Sequence, residues 1–159
     1  MLLDLVRHAD AGDPMAWDGP DAARPISDKG KKQAKRLGEH LRTIGYRTDA
    51  VITSPKLRAA QTAEVVADVV DASVTEDDRL AGPLDLEIVD AILRDAGDPE
   101  RAMLVGHDPD FSDLLSESCG TAGVTMRKGA LARIEIDRPL RAGGGTLRWL
   151  LPPDALKER

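Results

Sequence analysis

Three short apolar runs in this sequence each break off into basic or imidazole side chains, and stretches of helical periodicity separate them. Residues 2–6 run into Arg7 and His8. Residues 50–53 run into Ser54 and Pro55, with Arg58 close behind. Residues 102–105 run into Gly106 and His107. Short continuous apolar runs suit buried strands. Their alternation with helices confines the chain to an α/β sandwich with a mostly parallel sheet.

The intervening segments support that architecture. After a polar loop over residues 10–28, a first helix is predicted over residues 30–44, with Ala34, Leu37, Leu41 and Ile44 on one face and Gly45 as its stop. Ser54 as N-cap and Pro55 as first helical residue would open a second helix, buried along Ala59, Ala63, Val66 and Val70. A short strand is expected over residues 73–76 and a third helix over 85–96, with Ile88, Ile92 and Leu93 inward. Asp108 and Pro109 would cap and open a fourth helix running through Leu114 and Leu115. Residues 131–136 and 146–151 read as an antiparallel pair at or near a sheet edge. They are joined by a loop containing Gly143, Gly144 and Gly145, which lacks the Lys and Ser/Thr of a nucleotide-binding loop. No repeat, low-complexity stretch or linker divides the chain, so residues 1–159 are read as one domain.

Composition narrows the partners. At 159 residues with 42% hydrophobic and 31% charged side chains, a folded, soluble protein is expected. No apolar run reaches the roughly 18 residues of a membrane span and no signal peptide is visible, so a cytoplasmic location is expected, without a membrane partner. A net charge of −6 argues against nucleic acid. The lone Cys119 reads as a small buried side chain. Thr125, six residues on, stands where a cysteine-based phosphatase loop would want its Arg. Three scattered histidines give no metal-ligand spacing, so neither metal nor cofactor is expected.

In open α/β sheets ligands bind beyond the carboxyl ends of the strands. There this chain would gather Arg7, His8, Arg58 and His107 with two helix N-termini, an anion site made by arrangement rather than bulk charge. A guanidinium can clamp a phosphoryl oxygen while an imidazole nitrogen attacks phosphorus. For Arg7 and His8 alone, a solvent-facing polar strand end is the plain alternative.

These residues resemble the histidine phosphatase superfamily, the phosphoglycerate mutase-like proteins. Arg7-His8-Ala9 looks like its R-H-A motif, residues 54–63 like S-P-x-x-R-A-x-Q-T-A, and Gly106-His107 like its late G-H motif. The short chain, the run from Asp21 through Arg24-Pro25 to Gly30 and Gln33, residues 105–109 and residues 128–132 are similar to SixA-type phosphohistidine phosphatases, with Asp108 where that pattern has Asn. The resemblance implies a three-layer α/β/α fold with antiparallel C-terminal strands. It implies His8 as the nucleophile, passing through a phosphohistidine intermediate, and Arg7, Arg58 and His107 as ligands of the phosphoryl oxygens.

One departure bears on the substrate. Where mutase-like and many phosphomonoesterase members place a Glu, residues 79–83 offer no carboxylate. An alkoxide leaving group needs a proton donor. An imidazole, with a pKa of about 6.5, needs one less. A phosphorylated protein is therefore the first expectation, with a His-containing phosphotransfer domain as one carrier. A small phosphorylated substrate with Asp18 or Asp21 as general acid is the second, and a non-catalytic phospho-binding module the third. Arg24 is read either as lining the pocket or as half of a structural salt bridge. Trp17 is either a pocket wall or a loop anchor, His40 a surface residue, Ser54 a helix cap, and Gln61 and Thr62 supporting or packing residues.

Overall fold

The computed structural model describes residues 1–157. Its strands are β1 (Leu2–Arg7), β2 (Ala50–Thr53), β3 (Val74–Glu76), β4 (Arg101–Gly106), β5 (Leu131–Ile136) and β6 (Gly145–Leu151). Its α-helices are α1 (Asp28–Thr43), α2 (Leu57–Val70), α3 (Leu86–Asp95) and α4 (Asp110–Cys119). The six strands form one sheet in the order β3-β2-β4-β1-β5-β6. β3, β2, β4 and β1 are parallel, while β5 and β6 run antiparallel. β1, β4 and β2 are therefore neighbours, and their carboxyl ends lie side by side.

Strand side chains alternate between faces. Leu3, Leu5, Ile52 and Leu104 pack with Ile92, Leu93, Phe111 and Leu115 of α3 and α4. Val6, Val51, Met103 and Val105 pack with Leu37, Leu41, Ala63 and Val66 of α1 and α2. The sheet thus has helices on both sides, the three-layer α/β/α arrangement.

The helix starts differ in detail from the sequence reading. α1 begins at Asp28, two residues before the expected start, and Ser27 caps it, its side chain accepting from the Gly30 N–H. Ser54 and Pro55 do not open α2. The Ser54 N–H still bonds the Val105 carbonyl in the line of the sheet, and its hydroxyl is engaged elsewhere, so the helix begins at Leu57 with Lys56 as N-cap. Pro109 rather than Asp108 occupies the N-cap of α4, although the Asp108 carboxylate does accept from the Ser112 N–H at 3.0 Å. In α3 the inward face is Val89, Ile92 and Leu93, with Ile88 only half-buried. Ile44 is exposed as the C-cap of α1. Gly145 already pairs with Ile136 in the edge ladder.

One glycine ties α1 to the end of β1. A Cβ on Gly30 would stand 2.1 Å from the Asp10 carbonyl oxygen. That same carbonyl accepts from the Ser27 N–H at 2.8 Å. Only a bare backbone allows the helix start to sit this close to the loop that follows His8.

Candidate active site

β1 delivers His8 to its carboxyl end. The backbone fixes it there: the His8 N–H bonds the Gly106 carbonyl of β4 at 2.9 Å, and the Gly129 N–H bonds the carbonyls of Arg7 and His8. His8 Nδ1 lies 2.8 Å from the Ala9 carbonyl oxygen. A carbonyl only accepts, so Nδ1 carries the proton and the lone pair is left on Nε2. Burial lowers the His8 pKa to about 4. The Ala9 carbonyl opposes this, and the charges of Arg58, Arg7 and Lys128 reinforce it.

His107, at the end of β4, faces His8 with ring centroids 5.3 Å apart. Its Nε2 lies 2.7 Å from Ser54 Oγ, which also accepts from the Lys56 N–H. When the Ser54 hydroxyl donates to Nε2, the His107 proton sits on Nδ1. Burial lowers the His107 pKa to about 3, assisted by His8, Arg58 and Lys56 and opposed by Asp21. Ser54 is thus the partner of His107 rather than a helix cap.

Arg58 lies in the first turn of α2. Its two terminal nitrogens donate to the Asp21 carbonyl at 2.9 Å and the Asp21 carboxylate at 3.0 Å. Arg24, buried, donates to the Ala11 carbonyl at 2.8 Å and lies 3.4 Å from the other Asp21 oxygen. Asp21 therefore couples both arginines. Its partial burial, which opposes ionisation, is outweighed by Arg58 and Arg24, which hold the carboxyl below the usual carboxylate range. Thr62 closes the frame: its hydroxyl donates to the Arg58 carbonyl at 2.7 Å and accepts from the Ala9 N–H at 3.0 Å. Gln61 accepts from the Ile26 N–H, tying the loop after β1 to α2.

Arg7 sits in a closed ring of contacts. Its terminal nitrogen donates to the Met126 carbonyl at 2.8 Å and lies 3.5 Å from the Asp108 carboxylate. The Ser112 hydroxyl donates to that carboxylate at 2.7 Å and accepts from the Met126 N–H at 2.9 Å. The Asp that replaces Asn in the motif is thus a counter-ion to Arg7.

Among the described residues, the buried side-chain polar atoms without a protein hydrogen bond are Arg7 Nε, Arg24 Nε, Arg58 Nε and His107 Nδ1. Buried polar groups are otherwise nearly always paired. Three of the four exceptions belong to Arg7, Arg58 and His107 beside His8, and the fourth to Arg24, which shares Asp21 with Arg58. Such a set of donors suits the oxygens of a phosphoryl group.

The structure therefore brings Arg7, His8, Arg58, His107, Arg24 and Asp21 into one network. Asp18 stays outside it: it is exposed and makes no hydrogen bond or ion pair with these residues among those described. Trp17 is also exposed, its indole N–H donating to the Pro20 carbonyl. Sequence reasoning did not identify the Ala9 carbonyl, the Ser54–His107 bond or the ring around Arg7. The S-P dipeptide was a signal for the second, but it reads equally as a helix start.

The chain belongs to the histidine phosphatase superfamily (branch 1), whose family model matches residues 3–82, and it is a phosphatase. Within that class it is similar to the phosphohistidine phosphatase SixA of Escherichia coli (strain K12). The two are 27% identical over 99% of this chain and 97% of that one. The solved structure of the protein histidine phosphatase SixA complexed with tungstate matches with a TM-score of 0.84 at 26% identity, covering 99% of this chain and 100% of that one. A probable phosphoglycerate mutase, GpmB of Klebsiella pneumoniae (strain 342), is 31% identical over 89% of this chain and 68% of its own length. No helix among the described residues is long and apolar enough to cross a membrane.

Proposed function

We propose that this phosphatase removes the phosphoryl group from phosphohistidine on another protein, using His8 as a covalent nucleophile. The observation that carries the reading is the pairing of a neutral His8, Nδ1 held by the Ala9 carbonyl, with the unpartnered buried nitrogens of Arg7, Arg58 and His107 beside it. The carrier is a phosphorylated protein, such as a His-containing phosphotransfer domain, met in the cytoplasm.

In the first step His8 Nε2 forms a bond to phosphorus as the substrate N–P bond breaks. Arg7, Arg58, Arg24 and His107 neutralise charge on the non-bridging oxygens. The departing imidazole leaves neutral after protonation from solvent. In the second step water attacks the phosphoryl group on His8, releasing inorganic phosphate and restoring the free imidazole.

A nitrogen leaving group also suits what stands beside the site. Asp21 is held ionised by Arg58 and Arg24 and is poorly placed to give up a proton. Asp18 is exposed and apart. An alkoxide leaving group would need one of them as acid, so a phosphomonoester substrate is the weaker reading. A module that binds without turnover would have no use for an unprotonated His8.

The discriminating experiment compares a phosphohistidine-bearing protein, phosphoramidate and an alkyl phosphate at equal concentrations. Both N–P substrates should be turned over faster than the ester. Faster hydrolysis of simple alkyl phosphates would sink the nitrogen-leaving-group argument, and tight binding without turnover would favour the binding module.

The pH profile follows from the imidazoles. A depressed pKa keeps His8 neutral at every pH well above about 4. As pH falls through that value, Nε2 takes up a proton and attack stops. The acid limb of kcat/KM, which reports the free enzyme, should therefore lie near 4 rather than at the ordinary histidine value of about 6.5. A limb at 6.5 would contradict the burial argument. Stability moves the same way. The unfolded histidines gain protons below about 6.5 that the folded ones refuse, so the fold weakens as pH drops from there toward 4.

A further inference from the structure

A groove of about 260 Å³ opens beside Arg7, lined by Arg7, Lys29, Arg127 and Lys128 together with Asp10 and Asp154. Four cations meet two carboxylates there, in a chain whose overall charge is −6. The two acids are weak neighbours for the cations. Asp10 is already occupied, accepting from the Ser27 hydroxyl at 2.6 Å and the Gly12 N–H at 3.3 Å. Lys128 Nζ stands 3.9 Å from it, at the limit of an ion pair. The contact of Arg127 to Asp154, at 3.6 Å, joins two exposed side chains. Lys29 has no ion pair among the described residues, and its side chain is exposed.

The groove is continuous with the site. Arg7 belongs to both, and Lys128 lies close enough to His8 to disfavour its protonation. Gly129 follows Lys128 and bonds the carbonyls of Arg7 and His8, so the backbone carrying Arg127 and Lys128 is fixed against the end of β1. A substrate whose phosphoryl group sits against Arg7 and His8 would place its neighbouring groups over this groove.

We propose that the groove beside Arg7 receives an acidic side chain of the protein substrate, an Asp or Glu close to the phosphohistidine, and so selects phosphoproteins with an acidic flank. This rests on the phosphohistidine reading above. Exposed cations contribute little as single pairs. As a group at the rim of a site they raise the encounter rate with a complementary partner, and that contribution falls with salt. The groove therefore acts on substrate capture, while the chemistry stays with His8 and its donors.

The test uses the whole protein and a Lys29→Ala/Arg127→Ala variant, which leaves every residue of the catalytic network in place. Four probes are compared: a phosphohistidine peptide with Asp and Glu flanking the histidine, the same peptide with Ala at those positions, phosphoramidate, and a small phosphoester bearing a carboxylate. The wild type should prefer the acidic peptide by about tenfold in kcat/KM at low salt. The variant should lose that preference, chiefly through KM, and should turn over the Ala peptide and phosphoramidate within about twofold of wild type. Raising the salt should shrink the wild-type preference in the same way. Equal rates of the wild type on both peptides would overturn the groove assignment while leaving the phosphohistidine reading intact, and so would an equal loss on both peptides in the variant. Failure of the wild type on all three N–P probes would overturn both. A variant defect confined to a small phosphoester bearing a carboxylate would assign the groove to a small-molecule substrate and overturn the proposal.

Discussion

His8→Ala should lower kcat/KM by at least about a thousandfold, equivalent to ~4 kcal/mol of transition-state stabilisation, while leaving the fold intact. The ring makes one hydrogen bond to protein, to the carbonyl of the next residue. Its loss therefore frees no distant buried partner, and the thermal midpoint should stay close to wild type. His8 has a free, unprotonated ring nitrogen and no charge to hold in place. Removing Arg58 instead would leave the Asp21 carboxylate without its closest cation and would disturb the loop as well as the site. A fall in activity with an unchanged midpoint marks a chemical role. Parallel falls in both would point to a structural one. Wild-type rates in the variant would refute covalent catalysis at His8.

The second large effect is on stability and lies far from the chemistry. Asp4, on β1, is about 1% exposed. Arg133 of β5 pairs with it through two hydrogen bonds of 2.8 and 2.9 Å, and the Tyr46 hydroxyl donates to it at 2.7 Å. The cross-strand register puts Asp4 opposite Arg133 and Arg133 opposite Trp149, and the guanidinium stacks 4.2 Å above the Trp149 ring. Burial and the Asp4 carboxylate together push the Tyr46 hydroxyl pKa up, so it stays a donor throughout the working pH range. Removing one member of a buried ion pair leaves the other unpaired in low dielectric, which costs about 3–5 kcal/mol. Asp4→Ala should show that loss in urea unfolding at unchanged slope, with residual folded protein still active. Replacing Asp4, Arg133 and Tyr46 together with apolar side chains of similar volume should recover much of it. A single-variant loss under ~1 kcal/mol would show that Arg133 finds another partner.

The parts of this molecule that repeat along the chain could be read from it. Apolar runs ending in Arg7-His8, Thr53 and Gly106-His107 placed three neighbouring strand ends, and the sheet brings them together as expected from α/β topology. What escaped was contact between distant residues. Asp4 sits inside a run that reads as apolar, and its partners lie 42 and 129 residues away. No periodicity signals such a pair. Ser54-Pro55 fits a helix start by local chemistry, but the tertiary bond between Ser54 and His107 claims the hydroxyl. Of the two readings of Arg24, the structure shows the salt bridge: it lies 3.4 Å from the Asp21 carboxylate, and its buried Nε has no protein partner. Asp108 was visible as a departure from the motif, yet its role as counter-ion to Arg7 depends on Ser112 and Met126 from two other segments.

The most direct test of covalent catalysis is to trap the intermediate. Wild-type protein mixed briefly with phosphoramidate, quenched at alkaline pH and mapped by mass spectrometry, should carry one acid-labile phosphoryl group on His8, bonded at Nε2 by phosphorus NMR and absent from His8→Ala. Turnover with no phosphoenzyme at any quench time, or a phosphoryl group on a different residue, would contradict the mechanism.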